Sequence, residues 1–124
     1  MSYTVWHVLY HSMPDDHMAI FVETDKDKSG RIFHVTGSIQ LGMAYVTSDQ
    51  KSPEESLTYN TKHYLGKIDA GSLEAVDTIC RRIDVPGKQF DGNKMLVPRS
   101  QLRNCQHWTK DAISALQASG MIKK

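Results

Sequence analysis

Cysteine is scarce in this chain: only Cys80 and Cys105 occur among 124 residues. Two thiols make no disulfide framework, and a reducing compartment would keep both free. Neither belongs to a C-x-x-C pair, so the spacing of a structural zinc site is absent and no metal is expected. An excess of charge of one sign is missing as well. Fifteen basic residues stand against 14 acidic ones, and the net charge is +1. The basic residues are scattered apart from Lys123-Lys124, so no field advertises nucleic acid or an anionic membrane surface. No apolar run approaches the roughly 20 residues that span a bilayer. The opening residues, Met1 to His7, lack the charged start and apolar core of a signal peptide. These absences predict a cytoplasmic protein with no nucleic-acid partner and no integral membrane segment. Phosphate-cradling loops of the G-x-x-x-x-G-K-[ST] or G-x-G-x-x-G type and the G-x-S-x-G elbow are also missing, and no cofactor is expected.

What is present is ordinary for a globular chain: 40% hydrophobic and 23% charged residues, without repeats or a linker. One domain spanning 1–124 is expected. Thr4 to His11 reads as a strand, with Trp6, Val8 and Tyr10 on one face and His7, Leu9 and His11 on the other. Met13 to Asp16 reads as a turn. His17 to Thr24 is apolar on both faces and reads as a central strand. The charged tip Asp25 to Gly30 joins it to a third strand, Arg31 to Thr36, as an antiparallel hairpin. A bend follows at Gly37, then a strand from Leu41 to Thr47, a loop from Ser48 to Glu55, and a fifth strand from Leu57 to Leu65. A helix opens at Asp69 to Ser72, carries the stripe Leu73, Val76, Ile79, Cys80 and Ile83, and stops at Pro86-Gly87. Lys88 to Gly92 reads as an irregular connection and Arg99 to Arg103 as a lead-in turn. A second helix starts around Cys105, with Trp108, Ala112, Ile113 and Leu116 at helical spacing, Gly120 as its stop and a frayed end from Met121 to Lys124. Strands first and helices after imply an α+β fold: an antiparallel sheet of about five strands with two main helices packed on it.

Cys105 in the first turn of a helix lies among unpaired backbone N–H groups at the positive end of the helix dipole. That location favours the thiolate, which is the nucleophile. The bland alternative is a small buried residue at a helix start. A thiolate nucleophile needs a base, and the base needs an orienting group. Of the six histidines, His17 and His34 stand on adjacent strands of one hairpin, at ends that antiparallel pairing brings together. A helix docked on the face of His17, Ala19 and Phe21 would then assemble Cys105 as nucleophile, His17 as base and His34 as orienter. Asn104 is the natural helix cap. His7 and His11, four residues apart on a strand, are too distant to chelate one metal easily at about 3.3 Å per residue. His63 reads as a half-exposed strand residue and His107 as a surface or supporting one. Cys80 reads as core. Trp108 reads as a core anchor or a substrate platform, and Gly37 as a bend or a cleft residue.

The stretch Asn104-Cys105-Gln106-His107-Trp108, taken with His17-Met18-Ala19-Ile20-Phe21-Val22 and Ile32-Phe33-His34-Val35, resembles the circularly permuted papain-like fold. That branch includes lecithin:retinol acyltransferase-like proteins, NlpC-type peptidases and PPPDE isopeptidases, and the chain is also similar to small uncharacterised fungal members. In the acyltransferase-like proteins, a His-aromatic-Ala strand start, a second strand histidine and Asn-Cys-Glu-His-Phe form the catalytic set. The resemblance implies Cys105 as nucleophile, His17 as base and His34 as third polar residue, with Asn104, Gln106, Trp108 and Gly37 supporting or contacting substrate. Gln106 stands where those members have Glu, and the sequence closes on Met121-Ile122-Lys123-Lys124 where they usually carry an apolar anchor. The expected activity is a cysteine-dependent hydrolase or acyltransferase using a small-molecule or peptide acyl substrate. An isopeptidase of PPPDE type and a non-catalytic binding module on the same fold are the alternatives.

Overall fold

The computed structural model describes residues 1–12 and 16–124. The turn expected at Met13 to Asp16 lies, but for Asp16, outside the described residues. Five strands form one antiparallel sheet: β1 (Ser2–Tyr10), β2 (His17–Glu23), β3 (Gly30–Ser38), β4 (Gly42–Gln50) and β5 (Tyr59–Asp69). Their spatial order is β4-β3-β2-β1-β5. Two helices, α1 (Leu73–Arg81) and α2 (Cys105–Ala118), follow the strands, and a two-stranded ribbon, β6 (Phe90–Asp91) with β7 (Lys94–Met95), lies between them. The α+β class with two main helices on a five-stranded antiparallel sheet is therefore as the residue order implies.

Both helices lie on one face of the sheet. Val5, Ile20, Val22, Phe33, Val35 and Ile68 from the strands pack with Val76 and Cys80 of α1 and with Cys105, Trp108, Ala112, Ile113 and Leu116 of α2. Their periodicities explain this: every second residue of a strand and every third or fourth of a helix point inward. Val8, Ala19, Phe21 and Ile32 form a second cluster on the other face, edged by Trp6, Tyr10 and Tyr59. A short 3-10 turn at Pro53–Glu55, with Ser52 and Pro53 buried, lies along the sequence between β4 and β5. Burial on both faces makes β2 central, as its unbroken apolar run predicts.

The differences from expectation have local causes. Ser48 to Gln50, expected as loop, is strand because it pairs with Gly30 to Ile32. β5 runs on to Asp69 through an irregularity at Gly66. Gly66 has φ +142°, and a Cβ there would fall 2.6 Å from Ile122 Cγ2. The chain's end is not frayed: Lys67 and Lys123 exchange backbone hydrogen bonds of 2.6 and 2.8 Å. Helix α1 stops at Arg81 rather than near Pro86, because Arg82 N–H and Ile83 N–H bond three residues back and tighten the last turn. Ile83 still packs against the core from beyond the helix.

Candidate functional site: a split sheet end

Pairing between β2 and β3 runs from Glu23↔Gly30 to Ile20↔Phe33 and stops there. Beyond that point β2 stays with β1, down to Tyr10↔His17, and β3 stays with β4, out to Ser38↔Gly42. The sheet opens between them as a wedge. Carbonyls on the inner side of β2 lose their ladder partners there, and a buried carbonyl without a partner is costly. The start of α2 brings polar side chains to this end of β2. Gln106 Nε2 donates to the Asp16 carbonyl at 2.9 Å. Thr109 Oγ1 donates to the carbonyl of Cys105 at 2.7 Å and lies 3.4 Å from that of Met18. The start of α2 is thus docked at the start of β2.

His17 and His34 border the same opening. Their rings meet edge to face, and His17 Nε2 lies 2.8 Å from His34 Nδ1. One nitrogen donates and the other accepts. Burial lowers the pKa of both, and the neighbouring His17 helps push His34 down to about 4. The pair is therefore neutral at pH 7, a state in which an imidazole can accept a proton. Tyr10 stands against His17, with ring centroids 6.1 Å apart. A cleft of about 1140 Å³ opens on this side, lined by His17, His34, Tyr10, Ile32 and the β4–β5 connection.

Cys105 is the first residue of α2. Asn104 Oδ1 accepts from Gln106 N at 2.9 Å, and His107 Nδ1 accepts from Asn104 N at 3.0 Å. This reciprocal capping box makes His107 a cap partner. The backbone N–H of Cys105 has no hydrogen bond among the described residues. Cys105 as a residue is 9% exposed.

The helix does not dock on the face of His17, Ala19 and Phe21. It lies on the face of Ile20 and Val22, because Trp108, Ala112 and Leu116 bury themselves against that broader apolar surface. Cys105 therefore packs in the core on the opposite face of the sheet from the cleft that the two histidines line, and its thiol makes no hydrogen bond to either ring among the described residues. Trp108 is fully buried, tilted against Tyr45 with centroids 5.6 Å apart, so it is a core anchor and not a platform in the cleft. Gly37 does not line the cleft. It has φ +107°, and a Cβ there would fall 2.8 Å from Gly42 O, so it serves the tight β3–β4 turn. Cys80 is core, and burial pushes its thiol up to about 12. His7 and His63 sit on paired strands with centroids 5.9 Å apart. Among the described residues no three His, Cys, Asp or Glu side chains gather at metal-binding distance.

Thr109 is the supporting residue that sequence reading missed. Its signal was available: four residues after Cys105 and three before Ala112, it stands on the buried stripe of α2 although it is polar. Among the described residues no helix is long and apolar enough to cross a membrane.

No curated protein and no solved structure matches the chain. A model for a family of unknown function, DUF6540, matches residues 5–123. That match takes in β1 from Val5 onward, the other strands of the sheet, His17 and His34, and the whole of α2, and the chain belongs to the DUF6540 family.

Proposed function

We propose that this chain is a cysteine-dependent hydrolase or acyltransferase on a permuted papain-like fold, with Cys105 as nucleophile, His17 as base and His34 as orienter. The observation that carries this reading is the capped N-terminus of α2, docked into a split between the two strands that bear a hydrogen-bonded neutral histidine pair.

The chemistry follows from the contacts. His17 uses Nε2 toward His34, so its Nδ1 is the nitrogen free to act as base. In that tautomer Nε2–H donates to His34 Nδ1, and the bond survives when His17 becomes imidazolium. The thiol proton passes to His17 Nδ1 while Sγ forms a bond to the carbonyl carbon of an ester, thioester or amide. The oxyanion accepts from the N–H of Cys105 at the helix start, which has no partner among the described residues. Collapse expels the leaving group, which takes the proton from His17. Water, an alcohol or an amine then attacks the thioacyl group, again giving its proton to His17, and the thiol is regenerated.

A second reading, a non-catalytic binding module on the same fold, is favoured by the packing of Cys105 among core side chains and the absence of a thiol–imidazole hydrogen bond. Alkylation separates the two. For the enzyme, Cys105 labels with iodoacetamide at a midpoint well below the free-thiol value of about 8.5, and His17→Ala raises that midpoint. A thiol inert in both proteins until unfolding overturns the catalytic reading in favour of the binding module.

A further inference from the structure

The segment that leads into α2 is held by a side chain outside every motif, Gln89. It is 7% exposed, and all of its polar groups are used. Its Oε1 accepts from Arg103 N at 2.7 Å and its Nε2 donates to Arg103 O at 2.8 Å. The side-chain amide thus pairs with Arg103 as a neighbouring strand's backbone would, although no strand runs there. Nε2 also lies 3.3 Å from Gly87 O. The backbone of Gln89 is fixed in turn: its N–H donates to Ile39 O at 2.7 Å, and its carbonyl accepts from Leu96 N at 2.9 Å. One residue ties the β3–β4 turn, the β6–β7 ribbon and the approach to α2 together.

Arg103 immediately precedes Asn104, the cap of α2, whose extended backbone (φ −135°, ψ −169°) keeps Oδ1 on Gln106 N. Setting Arg103 therefore sets the cap, and the cap sets the direction of the N–H groups around Cys105. A buried glutamine satisfied at both ends is a costly device for joining two loops, since an apolar pair of the same shape would do as well. Its use is to fix backbone orientation.

We infer that Gln89 is a positioning residue for Cys105, acting through Arg103 and Asn104 to keep the start of α2 aimed at the reacting thiol. The inference rests on the catalytic reading of Cys105. It predicts that loss of the clamp lowers thiolate character without displacing the fold.

The test compares the pH midpoint of Cys105 alkylation in the wild type and in Gln89→Met, which keeps length and neutrality but makes no hydrogen bonds. Near-ultraviolet circular dichroism reports the fold, and intact mass with peptide mapping separates Cys105 from Cys80. The expected result is a native-like spectrum with the midpoint raised by about half a unit, the size of a lost helix-end interaction. A merely structural clamp would lower the melting temperature and leave the midpoint alone, which overturns the inference. Should Gln89→Met not fold, Gln89→Glu retains the acceptor for Arg103 N–H and loses the donor to Arg103 O. Read in 1 M salt, where charge is screened over about 3 Å, it is expected to show a smaller rise, and no rise again overturns the inference. A wild-type midpoint at the free-thiol value instead removes the catalytic reading itself, and this inference with it.

Discussion

Gln106 Nε2 donates to the carbonyl of Asp16 across 90 positions of sequence, at 2.9 Å. The bond ties the residue after Cys105 to the residue before His17. It sets the distance between helix start and strand start, because Gln106 is also held by its backbone N–H to Asn104 Oδ1. Gln106→Leu removes the side-chain donor and leaves the Asp16 carbonyl unpaired. The expected cost is about 1 kcal/mol of stability. Alkylation of Cys105 near neutral pH is expected to slow several-fold, since the helix end is no longer fixed against β2. Urea unfolding and labelling rates measured on the same preparation check both. Equal labelling at reduced stability would mean that the contact only anchors the helix.

The histidine pair gives the fold a pH dependence with a defined sign. Both imidazoles have pKa values lowered by burial, His34 to about 4, so the unfolded chain binds protons that the folded one refuses. The stability these rings contribute is complete above the unfolded value of about 6.5, and it is lost as pH falls from there toward about 4. Discounted for the part of the ring that faces solvent, the loss for His34 is about 1 kcal/mol, or a few degrees of Tm. His34→Leu is expected to lose less stability than the wild type between pH 7 and pH 4. Thermal scans of the two proteins across that range decide it; parallel curves would show that His34 is not held neutral.

Much of the sheet was legible in the sequence because its signals are local. The unbroken apolar run of His17 to Thr24 marks a central strand, and the tip Asp25 to Gly30 marks a hairpin. The cap at Asn104 and the stripe from Trp108 to Leu116 mark α2 almost to the residue. The nearness of His17 and His34 was legible in part, since strand parity sets both on one face, although the ladder between β2 and β3 ends before it reaches them. The side on which α2 packs was not. Ala19, Phe21, Ile20 and Val22 are all buried, and the strand offers an apolar surface both ways. Only the summed area with Phe33, Val35 and Val5 decides the contest. The wedge between β2 and β3 was hidden for a related reason: nothing in Met18 or Ala19 says that the ladder stops at Ile20. The roles of Gln89 and of the terminal segment at Gly66 depend on contacts between residues far apart in sequence, which leave no periodic trace.

The two thiols are expected to behave as different chemical species in one protein. Cys80 is fully buried on α1, and desolvation, assisted by the Asp77 carboxylate, pushes its thiol up to about 12. Asp77 itself is fixed between Tyr45 Oη at 2.7 Å and Arg81 Nε at 3.0 Å, so its charge stays beside Cys80. On the catalytic reading, native protein at pH 7 is expected to take up one equivalent of iodoacetamide, at Cys105, and denatured protein two. Cys80→Ala should leave labelling of Cys105 unchanged. Uptake at Cys80 in the native state would mean that the helix face carrying it opens readily.

On the proposed catalytic reading, substrate enters the cleft that His17 and His34 line and Cys105 does not, and the charge of that cleft sets a preference. Asp25, Asp27, Asp49 and Glu55 line it against one lysine, Lys51. Asp49 and Glu55 have no ion pair among the described residues. Their fields add in the cleft that His17 and His34 also line. Among activated esters of equal reactivity, one with a cationic acyl group is expected to turn over several-fold faster than an anionic one at low salt. The gap should shrink at high ionic strength, as the Debye length falls from about 10 Å at 0.1 M to about 3 Å at 1 M. The paired change Asp49→Lys and Glu55→Lys should reverse the order through KM, leaving kcat for a neutral ester in place, because neither residue touches the histidines. A preference that ignores both salt and the paired change would mean that substrate reaches Cys105 by the opposite face of the sheet, past α2 and the β6–β7 ribbon.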